Sequence, residues 1–205
     1  MTRVSVSAVA VVLSVLIGVG VGALWSPRPE PRAAPVLTPT EIGFAQDMAV
    51  HHEQAIVLCD ALAAGVDPSV TALCGQIRTT QLNEIGVLRG WLHLLDQPQA
   101  AAVPMAWMGA GHQHGAQALM PGMATWAEVD DLRRLPDPHA AEVRLLQLMI
   151  RHHRGGIEMA NYAALHASAL PVIQIAGQMA NEQSGELSAM SVLLARRDGQ
   201  ALPYP

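Results

Sequence analysis

The chain of 205 residues is long enough for one domain with appended segments, and 51% of its residues are apolar. Its formal net charge is −5, and all twelve of its basic residues are arginines. This acidic balance argues against nucleic-acid binding, because affinity for phosphates depends on a basic face. The unusual components are nine histidines and ten methionines in a small acidic protein.

The first 25 residues are predicted to be a targeting segment. Residues 4–24 carry no charge and would span about 31 Å as a helix, close to the thickness of a bilayer core. Residues 26–37 are rich in proline, which is typical of an extended tether. We favour an uncleaved signal anchor over a cleaved signal peptide, because residues 21–25 offer a poor cleavage site. The rest of the chain is expected to be exported: it would be held at the extracytoplasmic face of the membrane, or be secreted or periplasmic if the segment is removed.

Export permits disulfides, and the chain has two cysteines, Cys59 and Cys74. We expect a bridge across a helical hairpin. Two buried thiols, or a thiolate used as a soft metal ligand, are the alternatives.

Helix-start signals predict four long helices. Thr38-Pro39-Thr40-Glu41 combines a capping box with proline at the first helical position, and this helix is predicted to run to about residue 64, before Gly65. The other three are predicted from Asp67-Pro68 to about residue 95, from Asp137-Pro138 to about residue 167, and from Pro171 to about residue 197. No segment shows a strand pattern.

The helices form two hairpins that are internal copies of each other. Residues 44–52 match residues 145–153 at a glutamine, a methionine and two histidines, and Gln81 and Glu84 match Gln183 and Glu186. The predicted bundle domain covers residues 38–199, with hairpins at 38–95 and 137–198, a crossover at 96–136 that contains a short helix, and a tail at 200–205. Two hairpins joined by one long crossover define an all-α, ferritin-like four-helix bundle.

The repeated Met-x-x-His-His motif is the candidate metal centre. Positions i, i+3 and i+4 share one helix face, so each copy presents one methionine and two histidines together. Imidazole with thioether suits copper, and thioether favours Cu(I). The predicted ligands are His51, His52, His152 and His153, followed by Met48 and Met149. Nearby carboxylates would complete the ligand set or orient the rings: Asp47, Glu84, Glu158 and Glu186.

The repeated motif is open to a second interpretation. The histidines could form a hydrogen-bonded core in which the methionines only pack. Gln81 and Gln183 are expected to hydrogen-bond the histidines, and the small residues Ala55 and Gly156 would allow close packing.

The crossover is a second candidate for metal binding. Soft donors are concentrated there among glycines and a proline: Met105, Met108, His112, His114, Met120 and Met123. Such tracts in exported proteins can bind copper, which predicts an accessory site. The alternative is that these methionines pack over the bundle.

The sequence lacks the motifs of the di-iron bundle enzymes and of several other enzyme classes. No histidine has a glutamate three residues before it, as the di-iron bundles require, and there is no His-Glu-x-x-His, Gly-x-Ser-x-Gly or phosphate loop. A ferritin-like redox enzyme with iron or manganese, or a metal-free interaction module, remains an alternative to copper binding, and zinc is a less favoured ion. The sequence leaves open whether the chain forms a homo-oligomer.

These motifs resemble those of a bacterial family, the domain-of-unknown-function family numbered 305. Its hallmarks are Phe-x-x-x-Met-x-x-His-His-x-x-Ala, a second histidine-pair helix, and Gln-x-x-Glu-Ile, which stand here at residues 44–55, 145–159 and 81–85. Met120-Pro121-Gly122-Met123 resembles the family's linker. The resemblance covers residues 40–194 and implies a ferritin-like bundle related to periplasmic copper-binding proteins. This chain departs from the family pattern at Leu58, where a methionine is common, and at Gly156, an alanine position.

Overall fold

The structure is a computed structural model that describes residues 36–109 and 120–204. The predicted signal segment, the tether up to residue 35, and His112 and His114 lie outside the described residues. Within the described residues, no helix is both long and apolar enough to cross a membrane.

The described chain is entirely helical. Its long helices are α1 (Pro39–Asp60), α2 (Pro68–Leu94), α4 (Pro138–His166) and α5 (Leu170–Ala195), and the crossover contributes a 3-10 turn (Ala106–Met108) and the short helix α3 (Trp126–Arg134). Helix α1 packs along α2, α4 packs along α5, and α1 meets α4 at the centre of the bundle. The all-α prediction of two helical hairpins joined by a crossover is confirmed.

The helix starts follow the capping chemistry of the sequence. The Thr38 side chain accepts from the Glu41 N–H, and the Glu41 carboxylate accepts from the Thr38 N–H in return. Thr125 and Glu128 form the same reciprocal box at the start of α3.

The predicted end of the first helix is wrong by about four residues. Helix α1 ends at Asp60, with Ala61 as its C-cap. Gly65 does not cap this helix. It lies in the turn that leads to α2, where its φ of 95° favours glycine.

A disulfide joins the two helices of the first hairpin. Cys59 of α1 and Cys74 of α2 are bonded, with their Cα atoms 5.5 Å apart. Neither sulfur is therefore a thiolate that could bind a metal.

Buried glutamates hold the two hairpins together at both ends. Glu41, on α1, accepts hydrogen bonds from the backbone N–H groups of Ser168 and Ala169, at 2.8 and 2.6 Å, in the turn between α4 and α5. At the opposite end Glu142, on α4, accepts from the Asp67 N–H and from Arg197 Nε, each at 2.6 Å. These charge-assisted contacts fix the relative position of the hairpins, and hence of the histidines between them.

The buried histidines, with the buried glutamines and glutamates beside them, form a polar layer that divides the apolar core into two clusters. One cluster is built around residues such as Leu58, Ile77 and Leu145, and the other around Phe44, Leu88 and Trp107. The Met-x-x-His-His motifs of the antiparallel α1 and α4 meet between the two clusters.

Candidate metal centre

The four histidines of the repeated motif are completely buried. His51, His52, His152 and His153 each have 0% of their surface exposed. Burying a polar group costs free energy unless it finds a partner, so the contacts of these rings decide what the layer is for.

His51 and His152 meet at the centre, where α1 and α4 touch. Their ring centroids are 3.8 Å apart, with the planes inclined by 34°. His51 Nε2 lies 3.1 Å from the carbonyl oxygen of Pro121, and His152 Nε2 lies 3.0 Å from the carbonyl oxygen of His51. Both rings therefore use Nε2 on backbone oxygens.

His52 and His153 face carboxylates on the other helix of their own hairpin. His153 Nε2 lies 2.8 Å from Glu186 Oε2 in a hydrogen bond. His52 Nε2 lies 2.7 Å from Glu84 Oε2, although the approach is too bent for a good hydrogen bond. These contacts occupy equivalent positions in the two copies, as the internal repeat predicts.

The second ring nitrogen is left without a partner in all four histidines. Each Nδ1 is buried and neither accepts nor donates a hydrogen bond. An oxygen acceptor requires an N–H opposite it, so His51, His152 and His153 carry their proton on Nε2 and a lone pair on Nδ1. Metal-binding histidines use this arrangement, in which one ring nitrogen donates to a carbonyl or carboxylate and the other keeps its lone pair.

Burial keeps His51, His52 and His152 neutral. It lowers the pKa of His51 to about 3, and the neighbouring His52 acts in the same direction. The pKa of His52 also falls to about 3, from burial and then from His153, and burial holds the pKa of His152 well below its usual value. At neutral pH the Nδ1 lone pairs of His51 and His152 are therefore free of protons.

Glu84 is poised between its two protonation states. Burial raises its pKa to about 7, and the Glu186 carboxylate pushes in the same direction, whereas contacts with Glu182 and His153 oppose the shift. Glu182 was not singled out from the sequence. Its only signal was its position on α5, one helical turn before Glu186.

The two buried glutamines do not hydrogen-bond the histidines as expected. Gln81 and Gln183 are buried, but their amide groups have no hydrogen-bond partner. The predicted close packing does occur at Gly156, where a Cβ would overlap the Gln183 side chain. That glycine leaves the space which the Gln183 amide fills.

Two of the predicted carboxylates form hydrogen bonds with residues other than the histidines. Asp47 accepts from the Met105 N–H at 2.6 Å and from Trp107 Nε1 at 2.9 Å, so it fixes the crossover rather than a histidine ring. Glu158 accepts from the Tyr204 hydroxyl at 2.6 Å. Spacing along α1 and α4 placed both near the motif but could not reveal these competing donors.

The methionines of the motif sit on opposite sides of the histidine layer. Met48 packs in one apolar cluster and Met149 in the other, because α1 and α4 run antiparallel. Their use as ligands therefore stays a prediction.

The described methionines of the crossover pack against the bundle. Met105, Met108 and Met120 are buried in the same apolar cluster as Met48, and Met123 lies at its edge. Within residues 36–109 and 120–204, no group of three or more histidine, cysteine, aspartate or glutamate side chains already converges as a metal site.

A strap formed by residues 120–124 crosses the histidine layer. Its turn has Gly122 at a φ of 75° and a hydrogen bond from the Met123 N–H to the Met120 carbonyl. The Gln54 side chain holds Ala124 through two hydrogen bonds of 2.7 and 2.8 Å, to its N–H and its carbonyl. The strap thus carries the Pro121 carbonyl that orients His51.

Gly155 allows the strap to lie directly on α4. A Cβ at Gly155 would overlap the carbonyl oxygen of Pro121, and a Cβ at Gly122 would overlap the carbonyl oxygen of Arg151. The strap was not predicted from the sequence, where its one signal is the linker motif at residues 120–123.

The Glu128–Arg151 pair fastens α3 to α4 beside this strap. The two side chains form a bidentate contact of 3.0 and 2.7 Å, and the hydrogen bond from Arg151 lowers the pKa of Glu128 to about 2. A carboxylate with a lowered pKa stabilises the fold above its unfolded pKa of about 4.5, and this contribution is lost as the pH falls towards 2.

Glu128→Gln is therefore expected to lower the free energy of unfolding at pH 7 by about 1–2 kcal/mol, allowing for partial exposure. Glutamine retains the capping contact with Thr125, so the loss isolates the ion pairs of Glu128 with Arg151 and Arg144. Urea unfolding of both proteins checks this between pH 7 and pH 2. The difference should shrink below pH 4.5, and a difference independent of pH would contradict the assignment.

A helical bundle with a buried, duplicated histidine layer defines the class of this protein. The model of the family "Domain of unknown function (DUF305)" matches residues 41–194, and the chain belongs to that family.

Solved structures of the family have the same fold. A DUF305 protein from Streptomyces coelicolor, described as a candidate secreted protein, is 37% identical, with a TM-score of 0.72 over 80% of this chain and 96% of that one. A DUF305 fragment from Deinococcus radiodurans is 30% identical, with a TM-score of 0.67 over 79% of this chain and 99% of that one.

CopM shares the fold at lower identity. Its Cu(II)-bound form is 21% identical, with a TM-score of 0.59 over 76% of this chain and 96% of CopM. Its Cu(I)-bound form is 19% identical, with a TM-score of 0.59 over 79% of this chain and all of CopM. No curated protein matches the chain significantly.

Proposed function

We propose that this protein binds copper outside the cytoplasmic membrane, and sequesters it or passes it on. The observation that carries the proposal is the state of the four buried imidazoles: each has an unpartnered Nδ1, and three have their proton fixed on Nε2 by an oxygen. A buried nitrogen lone pair with nothing to accept is destabilising in a metal-free core and is suited to a metal ligand.

The proposed ligands are the four histidines, with Met48 and Met149 as candidate soft donors. Neutral imidazole suits copper, and thioethers from the flanking layers would favour Cu(I). Glu84 and Glu186 orient the rings of His52 and His153, as carboxylates do for metal-bound histidines elsewhere.

Similarity to two other proteins supports the proposal that this chain binds copper and is exported. CopM, which has the same fold, is known in Cu(I)-bound and Cu(II)-bound forms. The Streptomyces coelicolor relative is described as a candidate secreted protein, which agrees with the apolar segment at residues 4–24 of this chain.

Metal titration of the purified full-length protein tests the proposal. Cu(I), Cu(II), Zn(II) and Fe(II) are offered against chelators of known affinity, and the melting temperature is followed in parallel. We expect Cu(I) to bind most tightly and to raise the melting temperature, because a ligand that binds only the native state stabilises it. Preference for Fe(II) with oxygen-dependent turnover would favour the redox-enzyme alternative. No binding and an unchanged melting temperature would favour the metal-free module.

A further inference from the structure

The four buried histidines fall into two chemically different pairs. His51 and His152, the inner pair, stack on each other and direct Nε2 to backbone carbonyls. His52 and His153, the outer pair, direct Nε2 to carboxylates. Within each copy the ring centroids are well separated, by 6.4 Å from His51 to His52 and by 6.0 Å from His152 to His153. A cation near one pair therefore meets a different donor set from a cation near the other.

Three glutamates gather around the outer pair. Glu84 of α2 and Glu186 of α5 are buried. Glu182 is half-buried, accepts a hydrogen bond of 2.8 Å from Gln178, and lies close enough to influence Glu84 and His52 electrostatically. Among the described residues, the ion pairs of the arginines are all with other carboxylates, and none is with these three. Like charges held together in a low dielectric repel each other, so a bound cation would stabilise the cluster.

Two buried amides supply a second, independent sign of a ligand. Gln81 and Gln183 are 0% and 1% exposed, and each lies one helical turn before a glutamate of the cluster, on the same helix face. Neither amide has a hydrogen-bond partner, and neither do the Nδ1 atoms of His52 and His153. The other unpartnered buried side-chain atoms of the described residues belong to the outer histidines, the two glutamines and Glu84. The exceptions are Arg89 Nε and the Nδ1 atoms of the inner pair.

We propose that His52, His153, Glu84 and Glu186, with Glu182 beside them, form a second metal site for a divalent transition-metal ion, separate from a Cu(I) site at the inner pair. The proposal rests on the proposed function, since it takes the same buried layer to be metal-binding. It narrows the ligand set proposed for Cu(I) to the inner pair and assigns His52, His153 and their carboxylates to the second ion. Imidazole with carboxylate suits borderline divalent ions such as Zn(II), whereas the inner pair offers only neutral donors. Since no three of these side chains already converge, binding exchanges the His–Glu contacts for bonds to the ion.

Zn(II) and Cu(I) are the probes, because they differ in ligand preference and both are diamagnetic. The full-length protein is expected to hold both ions at once, which elemental analysis after gel filtration measures. The triple variant E84Q/E182Q/E186Q should bind Zn(II) at least about 100-fold more weakly while its Cu(I) affinity changes by less than about threefold. Glu53→Gln is the matched control. Glu53 follows His52 in sequence but pairs with Arg89 at the surface, so both affinities should be unchanged.

NMR of the wild-type protein gives the same answer without any variant that might fail to fold. Long-range proton–nitrogen spectra resolve the imidazole nitrogens, and a metal-bound nitrogen changes its chemical shift strongly. Zn(II) should shift the imidazole nitrogen signals of His52 and His153, and Cu(I) those of His51 and His152.

The outcomes separate this inference from the proposed function. Displacement of one ion by the other, or equal weakening of both in the triple variant, would reveal one shared site. That result would overturn the second site and leave copper binding intact. If the wild-type protein binds neither ion, both proposals are wrong.

Discussion

The variant H51A/H52A/H152A/H153A is expected to lose tight copper binding. It removes every buried imidazole that carries an unpartnered Nδ1. The disulfide remains, and so do the hydrogen bonds of Glu41 and Glu142 that join the two hairpins. Competition titration with Cu(I) and Cu(II) measures the loss, and circular dichroism checks that the bundle is still helical.

The chain offers a matched control in its exposed histidines. His93, His139 and His166 lie on the surface, away from the polar layer. The variant H93A/H139A/H166A should keep the wild-type affinity and stoichiometry. If the quadruple variant stays folded and binds copper as the wild type does, the buried histidines are not the ligands.

Gly155→Ala is expected to destabilise the fold by about 2–3 kcal/mol and lower the melting temperature by about 5–10 °C. The new methyl group would overlap the Pro121 carbonyl, so the strap must move off α4 and its hydrogen bond with His51 must break. We expect a chelator to remove copper faster from this variant, because the strap then no longer covers the inner histidine pair.

Gly185→Ala on α5 is the control for the change of residue type. A Cβ at Gly185 meets no atom within 4 Å, so the replacement only improves helix propensity. It should stabilise the protein by about 0.5–1 kcal/mol. Thermal unfolding of the two variants should therefore give shifts of opposite sign. Equal small shifts would show that the strap tolerates a side chain at residue 155.

The sequence was most informative where local chemistry decides the structure. Thr38 and Thr125 begin helices because their hydroxyls cap the N–H groups of Glu41 and Glu128, contacts that span only three residues. The repeated His-His motif likewise placed equivalent side chains on α1 and α4, because helical spacing fixes which positions share a face.

Contacts between distant parts of the chain could not be derived in this way. Asp47 lies four residues before His51 on α1, yet it binds the backbone of Met105 and the indole of Trp107. The strap depends on Gln54 and Gly155, whose partners are about seventy and thirty residues away in sequence. Neither a glutamine nor a glycine within a helix indicates such a partner.

The division of the histidines into two pairs also required three dimensions. Adjacent residues on one helix point in directions about 100° apart, so His51 faces α4 and the strap while His52 faces Glu84 on α2. Sequence reasoning grouped all four as one ligand set. It could not tell which acceptor each Nε2 would find, and that acceptor determines which nitrogen is left for a metal.

A crystal structure of the copper-loaded protein, with data collected at the copper absorption edge, tests the central claim most directly. We expect an anomalous peak inside the bundle, between α1 and α4, with Nδ1 atoms of the buried histidines about 2.0–2.1 Å from it, the usual metal–imidazole distance. Copper found only on the surface, with the histidine layer unchanged, would contradict the account.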